Sequence, residues 1–265
     1  MKLLELDGWA LILGASSGFG ETAARTLAKA GMNIAGVHLD RRAGLAHVEE
    51  IKKAVEAEGR KALFFNVNAA DEKKRQATLD ELKEKLGSEK IRVLMHSLAF
   101  GTLRPYWSDD EKEAIITKAN MDMTLDVMAH SLLYWTQDVL RRGLFSKDAR
   151  IFAMTSAGST TVWKGYGAVS AAKCALESHV RQLAAELAPY GITANALCAG
   201  VTDTPALRKI PGSDVMIENA TSRNPHGRLT RPEDVADAMV ALSTPATRWI
   251  TGNTIYIDGG EIIGG

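Results

Sequence analysis

The chain has 265 residues, 46% of them apolar and 24% charged, a composition that suits a soluble globular protein with a large core. Its 32 basic and 32 acidic residues cancel, which argues against a nucleic-acid or membrane-surface binder. Two cysteines, Cys174 and Cys198, are too few for a disulfide framework or a metal cage, and their small, apolar neighbours predict two buried free thiols.

The opening MKLLELDGWALILG lacks the pattern of a secretory leader, and no apolar run reaches the roughly 18 residues of a membrane span. The expected compartment is therefore the cytoplasm. Trp9–Leu13 reads as a buried strand, and Phe19–Ala30 as a helix stopped by Gly31. Asn33–His38 is the second strand. Ala43–Glu58, with Leu45, Val48, Ile51 and Val55 at helical spacing, is a helix closed by Gly59. Ala62–Val67 is the third strand, Glu72–Leu86 a charged helix and Arg92–Met95 the fourth strand. Glu111–Arg142 is helical in composition and unusually long. Arg150–Met154 is the fifth strand, Ala168–Ala188 a helix and Thr193–Leu197 the sixth strand. A helix over Arg231–Leu242, begun by Pro232, precedes the last strand, Thr254–Ile257. The rhythm predicts one α/β domain over 1–265, a doubly wound parallel sheet with helices on both faces. Pro205–Pro225 is the irregular part, either a substrate lid or an ordinary surface excursion.

Between the first strand and first helix lie Gly14, Gly18 and Gly20. Glycines there let the backbone turn sharply and approach a pyrophosphate, which the helix N-terminus then favours. Ser16 and Ser17 add hydroxyl donors. Gly14-x3-Gly18-x-Gly20 resembles the turn of the short-chain dehydrogenase/reductase family, and the resemblance runs nearly end to end. It implies a Rossmann-like fold and a bound nicotinamide dinucleotide. The cofactor contacts it implies are Gly14, Ser16, Ser17, Gly18, Phe19, Gly20, His38, Asn66, Val67, Ser97, Leu98, Ala99, Lys173, Gly200, Thr202 and Thr204. Asp40, 20 residues after Gly20, would favour NADH, but the second strand ends near His38, so Asp40 falls past the usual position. Arg41 and Arg42 can instead grip a 2′-phosphate, and the balance favours NADPH with NADH as the alternative.

Most of that family uses Ser…Tyr-x3-Lys. Here Ser156 and Lys173 keep the usual separation, but Val169 stands at the tyrosine position and the nearest tyrosine is Tyr166, giving Tyr-x6-Lys. The usual catalytic asparagine is missing near Met128. MHSLAFG at Met95–Gly101 and Cys198-Ala199-Gly200 resemble segments of the enoyl-acyl-carrier-protein reductases within the family. Residues seven apart on a helix return to nearly the same face about 10 Å along, against about 6 Å for four apart. A tyrosine at the helix start is thus displaced from the lysine. An enoyl thioester, which takes hydride two carbons from its carbonyl carbon, suits such a displaced hydroxyl.

The resemblance implies Tyr166 as the catalytic hydroxyl and Lys173 as holder of the nicotinamide ribose, its charge lowering the tyrosine pKa. Ser156 is the third catalytic candidate. The expected reaction is NAD(P)H-dependent reduction of trans-2-enoyl thioesters carried on acyl-carrier protein or coenzyme A, in fatty-acid synthesis. The alternatives are a carbonyl or alcohol oxidoreductase and a non-catalytic cofactor-binding regulator. A homotetramer is implied, with no nucleic acid, membrane or metal partner; His96, His130, His179 and His226 show no metal-ligand spacing. Phe100, Tyr106 and Trp107 suit an acyl pocket, and core packing accounts for each equally well.

Overall fold

The computed structural model describes residues 5–264; the leader-free reading of the N-terminus begins in residues 1–4, outside them. Seven strands form one parallel sheet in the order β3-β2-β1-β4-β5-β6-β7. They are β1 Trp9–Leu13, β2 Asn33–His38, β3 Ala62–Asn66, β4 Ile91–His96, β5 Phe145–Ser156, β6 Thr193–Ala199 and β7 Thr254–Ile257. The helices are α1 Gly18–Lys29, α2 Leu45–Ala57, α3 Glu72–Leu86, α4 Lys118–Leu125, α5 Ser131–Arg141, α6 Gly167–Leu187, α7 Ser213–Arg223 and α8 Pro232–Leu242. This is the doubly wound sheet that the apolar runs predict.

Side-chain alternation along β1 explains the layering. Trp9, Leu11 and Leu13 enter one core with α3, α5 and α6, while Ala10 and Ile12 enter the other with α1, α2 and α8. All five are fully buried, so both faces of the strand must be apolar. Helix α6 turns Val169, Ala172, Leu176, Val180, Leu183 and Leu187 to the sheet at steps of three and four.

Three expectations are corrected. The long helix starts at Lys118 and not at Glu111, because Thr117 caps it: its hydroxyl accepts from the Asn120 amide, and Asn120 reaches back to the Thr117 backbone. It also contains a π turn at Asp126–His130, where the Ser131 hydroxyl donates to the Val127 carbonyl at 2.8 Å. The 205–225 stretch is largely helical, since its turn-formers Pro211 and Gly212 lie just ahead of α7, with Gly212 at φ +79°. Cys198 is buried as expected, but Cys174 is exposed. The helical step of 100° carries Cys174 outward from its buried neighbour Lys173.

Candidate active site

The strand order reverses between β1 and β4, and the glycine turn sits at their carboxyl ends. Gly14 has φ +90°, and a Cβ there would lie 2.4 Å from the Ser97 carbonyl oxygen and 3.3 Å from Leu98 Cδ2. A Cβ on Gly20 would lie 1.9 Å from the Gly14 carbonyl. Neither position tolerates a side chain, so the backbone closes tightly around the start of α1. Gly18 faces Thr204 across the cleft. No side chain caps α1, whose N-cap Ser17 is exposed. The first amides of the helix are thus left for a ligand, together with the positive end of its dipole. Ser16 and Ser17 make no side-chain hydrogen bond among the described residues. This arrangement of uncapped amides and free hydroxyls fits the diphosphate of a dinucleotide.

The structure sorts the remaining cofactor candidates. Gly14, Gly18, Gly20, Ser97, Leu98 and Thr204 come together around the turn. Ala99 lies exposed at the rim. The Phe19 ring is partly buried and packs against the α1–α8 core. Thr202 donates to the Gly200 carbonyl at 2.9 Å, and both Thr202 and Thr204 are buried beyond β6. At the end of β2, His38 is buried with Nδ1 2.9 Å from the Asp40 carboxylate. Asn66 accepts from the Asp40 amide at 3.0 Å and donates to its carbonyl at 2.9 Å. Its side chain therefore builds the β2 turn, while the Val67 amide donates to the His38 carbonyl at 2.8 Å. Arg41 and Arg42 are exposed and form no ion pair among the described residues.

Three consecutive residues ending β5 each engage one polar side chain of the catalytic region. The Met154 carbonyl accepts from Lys173 Nζ at 2.7 Å. Thr155 donates to the Glu177 carboxylate at 2.6 Å. Ser156 lies beside Tyr166, the residue directly before α6. The tyrosine ring rests over Gly158, where a Cβ would lie 2.5 Å from Tyr166 Cε1 and 3.1 Å from Ser156 Oγ. Val169, at the family's usual tyrosine position, is spent on core packing.

Burial pushes the Tyr166 phenol above the usual tyrosine range, partly offset by the neighbouring Ser156 hydroxyl. The expected acidification by Lys173 is absent, since that ammonium is aimed at Met154. Tyr166 is thus held as a neutral donor. Burial brings Lys173 down to about 8, against the opposing pull of Glu177 and, more weakly, Cys198. His96, fully buried at the end of β4, bonds Ser131 at 2.8 Å through Nε2 and leaves Nδ1 without a partner among the described residues. Burial and the nearby Lys173 charge lower its pKa to about 3.

Phe100, Tyr106 and Trp107 are exposed, which removes core packing as their explanation. His130 and His179 bond each other at 2.9 Å, and no group of three or more metal-ligating side chains exists among the described residues. No helix there is long and apolar enough to cross a membrane. Sequence reasoning placed Thr155 in the catalytic region beside Ser156 but missed Gly158 and Glu177. Only Glu177 carries a signal, standing one helical turn after Lys173.

Comparison with known proteins agrees with this fold. A family model described as enoyl-(acyl carrier protein) reductase matches residues 14–261. The NADH enoyl-acyl-carrier-protein reductase of Aquifex aeolicus is 31% identical over 69% of this chain and 66% of its own length. The 3-oxoacyl-acyl-carrier-protein reductase of Vibrio harveyi is 29% identical over 95% and 96%. The crystal structure of the Aquifex aeolicus enzyme superposes with a TM-score of 0.85 at 26% identity, covering 99% of each chain. That of the Bacillus cereus enoyl-acyl carrier protein reductase with NADP+ gives 0.87 at 24% identity, covering 100% of each, a likeness of fold. The chain belongs to the short-chain dehydrogenase/reductase family and resembles its enoyl-acyl-carrier-protein reductases. It is an oxidoreductase of that family.

Proposed function

We propose that this protein reduces the carbon–carbon double bond of trans-2-enoyl thioesters at the expense of NADPH. The observation that carries the reading is Tyr166, a half-buried neutral phenol at the start of α6 beside Ser156, while Val169 is packed in the core. A bound reduced nicotinamide supplies the hydride for the substrate's β-carbon. As hydride arrives, negative charge gathers on the thioester oxygen. Tyr166 donates a hydrogen bond to that oxygen, and its raised pKa keeps the proton available. Ser156 holds the phenol's orientation, and Gly158 leaves room for the ring. Lys173, anchored on Met154, would help hold the nicotinamide end of the cofactor. The α-carbon then takes its proton from solvent or through Tyr166.

Exposed Phe100, Tyr106 and Trp107 form an apolar rim suited to an acyl chain. The segment around α7 serves as the lid, tied to the β5–α6 loop where the Trp163 indole donates to the Pro211 carbonyl at 3.2 Å. The thiol carrier is acyl-carrier protein or coenzyme A, and the setting is fatty-acid synthesis in the cytoplasm. One domain spans 1–265. NADPH is preferred because β2 ends at His38, Asp40 is held by His38, and Arg41 and Arg42 stand free at the turn. The protein assembles as a homotetramer, with β7 at an open sheet edge.

The test is cofactor oxidation by the purified protein with crotonyl-CoA, against a panel of ketones and 3-oxoacyl thioesters, using NADPH and NADH in parallel. Turnover of crotonyl-CoA with NADPH supports the reading. Turnover of ketones alone supports a carbonyl reductase, and cofactor binding without any turnover supports a regulator.

A further inference from the structure

We propose that Glu177 is a positioning residue for Lys173: its carboxylate, fixed by Thr155, keeps the buried ammonium charged and aimed at its place under the cofactor. The proposal rests on the cofactor-holding role given to Lys173 above. Lys173 is buried, and among the described residues its Nζ makes one hydrogen bond, 2.7 Å to the Met154 carbonyl. A lone neutral acceptor does little to offset the loss of water around an ammonium. Glu177 stands four residues on, on the same face of α6, and its Oε1 accepts from the Thr155 hydroxyl at 2.6 Å. Adjacent β5 residues therefore each hold one member of the pair, Met154 the lysine and Thr155 the glutamate.

The other titratable groups around this pair are neutral or stand farther back. Cys198 on β6 interacts with both Lys173 and Glu177, but burial pushes its thiol up to about 12. His96 on β4 senses the Lys173 charge and is itself held neutral, at about 3. Tyr166, before α6, is kept protonated by burial. Asp258 and Glu261, beyond β7, act on Cys198. Glu177 is thus the negative charge facing Lys173 among the described residues. Burial lowers the lysine to about 8 even with this carboxylate in place, so its charge stands near the edge of the physiological range.

The experiment is an NMR titration of the purified full chain carrying 13Cε-labelled lysine, with the Lys173 resonance assigned by its loss in Lys173→Met. NADPH dissociation constants are measured alongside at pH 6 and pH 8. Glu177→Gln keeps an acceptor for Thr155 but removes the charge. The Lys173 midpoint then moves down by about one pH unit, and NADPH binding weakens about five-fold at pH 8 with little change at pH 6. Thr155→Val, which leaves the carboxylate charged but free to swing, gives a smaller shift in the same direction, and Glu177→Asp recovers part of the loss. An unmoved midpoint in Glu177→Gln, or an equal loss of affinity at both pH values, overturns the proposal. If that variant does not fold, an unmoved midpoint in Thr155→Val overturns it. The amine titration needs neither cofactor nor substrate, so its outcome is separate from a failure of enoyl thioester turnover.

Discussion

At the scale of single residues, the site depends on small groups that leave space as much as on groups that react. Gly158 is the clearest case, because any side chain there would meet the Tyr166 ring at 2.5 Å. Gly158→Ala is expected to tilt the phenol and lower kcat by at least about ten-fold while leaving the NADPH dissociation constant unchanged. Steady-state kinetics with a fluorescence titration of cofactor checks both. Tyr166 and Lys173 were legible as a pair from Tyr-x6-Lys, since both lie within one segment. The direction of the Tyr166 shift was not, because it depends on burial and on where Nζ points, and both are set by β5. Asn66 shows the same limit: its place after β3 was readable, but its commitment to the Asp40 backbone across strands was not.

At the scale of elements, β4 and the α4–α5 junction are joined by the buried His96–Ser131 contact at the π turn. The folded His96 titrates at about 3, below the 6.5 of a free imidazole. Between those values the unfolded chain binds the extra proton, so this ring lowers stability as pH falls from 6.5 towards 3, at about 1.4 kcal/mol per pH unit. Urea melts at pH 7 and 4.5 are expected to differ by about 2–3 kcal/mol less in His96→Asn than in the parent chain. An equal difference removes His96 from the acid response. The lid makes its own prediction. Trp163→Ala removes the bond to Pro211 and should speed amide exchange across 207–223 and raise KM for the thioester, with NADPH binding unchanged. Strands β1, β2 and β7 were readable to within a residue because each is a short apolar run ended by a turn-former or polar residue. Helix α7 was hidden, since Ser213–Arg223 has a weak apolar stripe and two turn-formers immediately before it.

At the scale of the molecule, the parallel sheet brings Gly14, His38, Ser97, Ser156 and Gly200 to one rim because all seven strands run the same way. That much follows from strand–helix alternation alone. Association does not, and the chain offers an open edge at β7, with Tyr256 on the strand and Trp249 and Ile263 highly exposed on either side in sequence. Sedimentation is expected to show four copies in the parent chain and fewer in a Trp249→Asp, Ile263→Asp double variant. A parent chain that sediments as one copy contradicts the assembly proposed here. The fold would survive that result, since both cores are complete within a single chain.

The most direct measurement is kcat of Tyr166→Phe for crotonyl-CoA at saturating NADPH, set against the parent chain. The Phe variant keeps the ring over Gly158 and removes only the hydroxyl. The account predicts a fall of about 100- to 1,000-fold in kcat with KM nearly unchanged, because the lost bond acts on charge that develops in the transition state. A variant that turns over as fast as the parent would contradict it.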